Sequence, residues 1–277
     1  MPYDPPYMPI RLPFISDILA HHELVGILVQ RNIKIRYKGS VLGFFWSLAS
    51  PVFFILIYGA FLRLVARGFA FDLHVLVTGI IIWQFISLCC NDSLNAVVGN
   101  GNLVKKTAFP RIVLPLATVA ANLVNFLMSF LVLMAYLLIV GAPIQWGSLA
   151  WLPFVILTQA ALCLGLASLL SAVNVFFRDA EHLLSHVIMA WFFLTPILYP
   201  VSLPLDLIRA KLPAFCETLY FCNPMAGLIT AYRSILLGTP PLVSPWLPAL
   251  SFALCWLILL AGVGLFQKVQ KRFGDEL

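Results

Sequence analysis

The sequence predicts an all-α polytopic membrane protein, and three observations carry that prediction. Of 277 residues, 62% are hydrophobic and 10% charged, whereas soluble domains hold about 25% charged residues. No Asp, Glu, Lys or Arg falls between Arg111 and Arg178, or between Arg233 and Lys268. Uncharged runs of this length read as membrane-spanning helices. The basic residues gather in short segments between the apolar runs. A Lys or Arg at the bilayer centre costs about 2.5–3.5 kcal/mol, so these segments mark the aqueous boundaries. The architecture expected is six transmembrane helices, an N-terminal amphipathic interface helix, and re-entrant helices between spans five and six. Three parts follow: an irregular tail over 1–16, the interface helix over 17–39, and the membrane domain over 40–277.

The tail, Met1–Pro13, is proline-rich and lacks the charged start and apolar core of a cleavable leader. Ser16 suits the cap of a helix that begins at Asp17 and stops at Gly39. Leu24, Val25, Ile27, Leu28, Ile33 and Ile35 alternate there with His21, Glu23, Gln30, Arg31, Asn32 and Lys34, a pattern that suits a helix lying in the interface. Two roles stay open for it, a lipid-lying anchor or a docking surface.

The spans are placed at 43–62, 73–94, 112–140, 149–175, 183–199 and 246–266. About 20 helical residues cover the hydrocarbon core. Pro51 predicts a kink in span one. Arg63, Arg67 and Asp72 bound the loop after it, and Asn91 and Asp92 near the inner end of span two are expected to face protein or water. Lys105, Lys106 and Arg111 form a second basic cluster. Ala161, Gly165, Ala167, Ser168, Ser171 and Ala172 supply span four with small residues for close packing. Asn174–Glu181 is a tight polar corner.

The segment 200–238 is too apolar for a loop and too interrupted to span. Asn223 is a good N-cap, Pro224 fits the first helical position, and Gly238 ends the helix. Thirteen residues from Met225 to Leu237 are too short to cross, so a re-entrant or interfacial hairpin is expected. In this scheme 12 of the 17 Lys and Arg lie with the N-terminus, the second and fourth loops and the C-terminus. The excess places both termini in the cytosol.

Chemistry-bearing motifs are sparse. No G-x-x-x-x-G-K-[ST] is present, so nucleotide binding through a phosphate loop is excluded. The six cysteines have no zinc spacing, and no metal site is expected. Cys89, Cys90, Cys163 and Cys255 read as small core residues, and Cys216 and Cys222 are poorly spaced for a disulfide. His182 and His186 are one helical turn apart at a membrane boundary, where interfacial packing outweighs a metal or proton role. Net charge of +6 resides in inter-span segments and does not argue for nucleic acid. Phe44, Phe45, Trp46, Phe53, Phe54 and Tyr58 crowd span one, and Trp83 lies in span two. These rings suit lipid packing and interfacial belts, or a passage lined by flat faces that stack on sugars. Arg178 and Asp179 suit either a capped helix start or a knob for a soluble partner.

Four stretches, RNIKIRYKGSVLGFFWSLASPV, NVFFRDAEHLL, WFFLTPILYP and YFCNPMAGLITAYR, resemble the permease subunits of type 2 ABC exporters. The branch they resemble exports O-antigen, capsular polysaccharide and teichoic acid. The resemblance runs from about Leu24 to the C-terminus; the proline-rich start matches no motif. It implies a homodimer in the bacterial cytoplasmic membrane, two copies of a separate cytosolic ABC ATPase, and a lipid-linked polysaccharide as cargo. ATP and Mg would be bound by that partner, with no cofactor in this chain. It further implies an ATPase-coupling surface from Arg31, Lys34, Arg36, Asn174, Arg178, Asp179 and Glu181. Pore-lining aromatic candidates are Phe44, Trp46, Phe53, Tyr58 and Trp83, and the outer gate helix starts at Asn223, Pro224 and Met225.

Three rivals are weighed against this. A membrane-embedded glycosyl or acyl transferase needs outer acid–base residues, and only Asp206 and Glu217 offer themselves. A secondary transporter or channel should show intramembrane ionisable residues or inverted repeats. A drug or small-lipid exporter on the same fold differs only in its substrate.

Overall fold

The computed structural model describes residues 20–65, 72–107, 109–239 and 244–276. The 1–16 tail, the helix start at Ser16 and Asp17, and Arg67 lie outside the described residues. Twelve α-helices follow one another among them: α1 (His22–Arg36), α2 (Trp46–Val65), α3 (Leu73–Val98), α4 (Gly101–Lys106), α5 (Val113–Val140), α6 (Leu152–Phe176), α7 (Ala180–Leu194), α8 (Ser202–Lys211), α9 (Phe215–Phe221), α10 (Pro224–Leu237), α11 (Trp246–Val269) and α12 (Phe273–Glu276). No strand occurs among the described residues.

Among the described residues, five helical stretches are long and apolar enough to cross a membrane, at Gly43–Phe61, Leu73–Val98, Val113–Val140, Trp146–Phe176 and Trp246–Arg272. The fifth expected span differs. Its helix, α7, has 15 residues and ends at Leu194, not Tyr199, so it covers about 22 Å at 1.5 Å per residue. The reason is local. Pro196 forces the residue before it out of the helical region, and Thr195 is extended at φ −102°, ψ 142°.

The core is built around α3. In its most apolar window 72% is buried inside the chain, against 11% for α2. Helices α5, α6, α7 and α10 pack against α3, and α11 packs along α6. The α6–α11 crossing is close because Gly165 meets Gly262: a Cβ on Gly165 would sit 2.6 Å from the Ile258 carbonyl oxygen. Polar side chains tie the bundle together where lipid gives no hydrophobic drive between helices. Gln159 Nε2 donates to the Ile82 carbonyl at 2.9 Å, and Tyr232 Oη donates to Gln159 Oε1 at 2.8 Å.

Helix α1 lies against this bundle through Leu28, with Leu24, Val25 and Val29 packed on Val97, Val104, Ile112 and Val113. Gly39 follows at φ +77° and turns the chain toward α2. Pro51 sits inside α2. It lacks the N–H that the Ser47 carbonyl would accept, and Ser129 Oγ donates to that carbonyl instead, at 3.4 Å.

Candidate functional site

Three regions hold the residues of interest. The first is α1 with the corner before α7. Lys34 is exposed on α1 and, with Ile27, Gln30, Arg31, Ile35 and Lys38, lines a shallow groove. Arg31 also donates to Asn100 Oδ1 at 2.5 Å. Arg36 turns inward. It pairs with Asp92 of α3 and donates to Asn122 Oδ1 of α5 at 2.7 Å. Asn122 Nδ2 closes the triangle on Asp92 at 2.8 Å. Beside it, Tyr37 Oη donates to Asn125 Oδ1 at 2.9 Å. Burial raises the phenol of Tyr37 above its ordinary value, so it stays a donor at neutral pH.

At the corner, Arg178, Asp179 and Glu181 are exposed. Asp179 stands at the N-cap of α7, yet its side chain makes no capping bond. The capped-start account of that charge therefore has no bond behind it. Asn174 is different: it is buried and donates to the Leu94 carbonyl at 2.8 Å. It positions the corner against α3.

The second region is the aromatic row of span one. Phe44, Trp46 and Phe53 are exposed at 40%, 40% and 51%. Trp46 and Phe53 are seven residues apart on one face, with ring centroids 6.3 Å apart. Tyr58 is half-buried and packs with Phe54 against the main core. Trp83 does not belong to the row. It is buried at 6%, and the edges of Trp191 and Phe192 close over it. Its span is the central helix of the chain, and this ring lies on a face that packs into the core.

The third region is the helical segment after α7. Asn223 Oδ1 accepts from the Met225 amide at 3.1 Å and from Trp191 Nε1 at 2.8 Å. Its Nδ2 donates to Thr195 Oγ1 at 2.9 Å. One side chain thus caps α10 and ties it to the end of α7. Pro224 and Met225 are buried behind it. Gly238 ends α10 at φ +60°. Arg233 is 4% exposed. Its guanidinium donates to the carbonyls of Pro196, Tyr199, Val75 and Ile197 at 2.6, 3.0, 2.7 and 2.7 Å. It pins α10 to the turn after α7 and to the start of α3. Cys216 and Cys222 are both free thiols.

The Arg36–Asp92–Asn122 triangle and the Arg233 pin were not assigned roles from sequence. The available signal was polarity inside apolar runs: Asn122, Asn125 and Gln159 interrupt 66 residues without a charge. Among the described residues, no group of three or more His, Cys, Asp or Glu side chains is placed to hold a metal.

Residues 23–237 match the family model for the ABC-2 type transporter. The chain is 30% identical over 259 residues to an O-antigen export system permease protein RfbA of Klebsiella pneumoniae, covering 92% of this chain and 95% of the relative. It is 31% identical over 272 residues to the protein of that name from Myxococcus xanthus, covering 95% and 98%. A second Klebsiella pneumoniae protein of the same name is 31% identical over 260 residues. A permease of this kind is a transport subunit and not an enzyme, and it works with an ABC ATPase on a transported substrate. With its family match over most of its length and its apolar helices, the chain belongs to the ABC-2 type transporter family, as a multi-pass permease of the bacterial inner membrane.

Proposed function

We propose that this chain is the transmembrane subunit of an ATP-driven exporter that moves a lipid-linked polysaccharide, O-antigen or a similar polymer, across the inner membrane. The observation that carries the reading is similarity along 95–98% of the length of permeases named for O-antigen export. The working unit is a homodimer coupled to two copies of a separate ATPase, which binds ATP and Mg. The chain crosses the membrane six times, with α7 and the turn to Pro200 as the shortened fifth span. Helices α8 to α10 re-enter from the outer side, and both termini are cytosolic. The exposed face of α2 supports pairing with a second copy, since so little of that helix is covered by its own chain.

Motion enters through the exposed groove of α1 and the Arg178–Asp179 corner. The corner charges are exposed, and Asp179 makes no cap bond, which leaves them available to a groove on the ATPase. Copurification from membranes without crosslinking should yield a soluble ATP-binding protein in equal copy number. Isolation of this chain alone with export intact would refute the coupling. Reversing charge at Arg178 or Asp179 should abolish surface polymer while the protein still inserts.

A further inference from the structure

A cavity of about 350 Å³ opens between the end of α1 and helices α2, α3 and α5. Tyr37, Trp46, Ser47, Gln84, Asn125 and Ser129 are among its lining residues. That volume lies in the range of small-molecule pockets, about 300–1,000 Å³. Two features of the lining restrict what can bind there.

The first is charge. Among the described residues, Arg36 and Asp92 are the charged ones lining the cavity, and they pair with each other. A phosphate drawn to Arg36 would meet the Asp92 carboxylate at the same place. The paired site attracts neither anions nor cations strongly. The second is a neutral polar set. Gln84 is half-buried and lines the cavity together with Ser47, Ser50 and Ser129, an amide and three hydroxyls that each both donate and accept. Asn125 lines it too, but Tyr37 Oη takes its amide oxygen and its Nδ2 is shut off from solvent.

Neutral groups that both donate and accept fit this lining, and an apolar ring face fits Trp46. We infer that the cavity is a subsite for a neutral sugar residue of the transported polymer, held through its hydroxyls by Gln84 and the serines. The inference rests on the polysaccharide reading above and adds where, and by which atoms, the glycan is met. It places recognition on sugar hydroxyls and not on the lipid phosphates.

The test is photocrosslinking in cells that make the polymer and express the permease with its partner ATPase. A benzoylphenylalanine probe replaces Leu88, which lines the cavity. A second probe replaces Phe53 in the exposed aromatic row, and a third replaces Leu131, exposed on α5 outside the cavity. The Leu88 probe should give a periodate-sensitive glycan adduct, the Leu131 probe lipid adducts only. Adding Gln84→Leu should lower the Leu88 adduct about five- to tenfold, the loss expected for one or two hydrogen bonds, at unchanged protein level. The adduct should vanish in a strain that makes no polymer. A Leu88 adduct of lipid only, one that ignores Gln84→Leu, or one that survives without polymer overturns the inference. In each case a glycan adduct at Phe53, or polymer at the cell surface, leaves the export reading standing. Absence of glycan at every position together with absence of surface polymer overturns both.

Discussion

Replacing Arg233 by Met keeps an unbranched apolar stem and removes every donor. Its four carbonyl partners lie on two pieces of chain: the turn of Pro196, Ile197 and Tyr199, and Val75 at the start of α3. Hydrogen bonds inside membrane proteins average about 0.6 kcal/mol by double-mutant cycles, and bonds to charged groups in water-soluble proteins run to about 1.5–3 kcal/mol. Four bonds at the lower end of this range sum to about 2–5 kcal/mol. The burial of an unpaired charge offsets part of that gain, which keeps the expected loss inside the same bracket. For a chain of this size the loss corresponds to roughly 5–15 °C in melting temperature. The assay is thermal unfolding of the detergent-solubilised protein, with Arg233→Lys and Arg209→Met alongside. Lys has three donors on a point charge, so it should fall between wild type and Met. Arg209 is exposed and pairs with Glu217 at 2.6 Å; its removal should leave the transition in place, because surface ion pairs contribute little. A Met variant that melts with wild type would refute the assignment of Arg233 as the pin of α10.

Gly165→Leu should prevent stable insertion, because the backbone of Ile258 and Leu259 already lies within 2.7 Å of a Cβ there; Gly26→Leu, with nothing within 4 Å, is the control, and protease resistance in membranes is the readout. Asn223→Ala removes a cap and two further bonds, so it should cost about 1–2 kcal/mol of unfolding free energy. A cost no larger than that of an exposed serine-to-alanine change would count against the triple role. Arg36→Gln and Asp92→Asn should couple by about 0.5–1 kcal/mol in a double-mutant cycle, a modest value because both side chains retain solvent contact at 27% and 37%. Strict additivity would deny that they act as a pair.

Local chemistry was readable where a residue's own neighbours decide its conformation. Asn223, Pro224 and Gly238 mark the start and stop of α10 with no reference to the rest of the fold. Gly141 ends α5 in the left-handed region for the same reason, whereas α1 stops at Arg36, short of the expected Gly39, which turns the chain after it. The end of α7 was misjudged by five residues because hydropathy continues through Ile197 and Leu198 while Pro196 has already ended the helix. What was not readable depends on pairs far apart in the chain. Arg36 meets Asp92 and Asn122 across 56 and 86 positions, and Asn174 reaches Leu94 across 80. No spacing rule links such residues, so Arg36 and Asn174 read as outward-facing when their side chains serve the bundle. Trp83 shows the same limit for rings: aromatic content is visible in sequence, but which face is enclosed depends on Trp191 and Phe192.

The sparse cover on α2 has a mechanical consequence. Most of its surface already faces whatever lies outside the chain, so tilting or sliding it exchanges one apolar neighbour for another at little net solvation cost. Beyond the packing of Phe54, Ile55 and Tyr58 on the core, its ties lie at its N-terminal end, where Ser129 donates to the Ser47 carbonyl and the Tyr37 ring meets Phe44 edge-on at 5.6 Å. Those few contacts sit next to the Arg36 triangle, so a push delivered to α1 arrives at the foot of the least-anchored helix first.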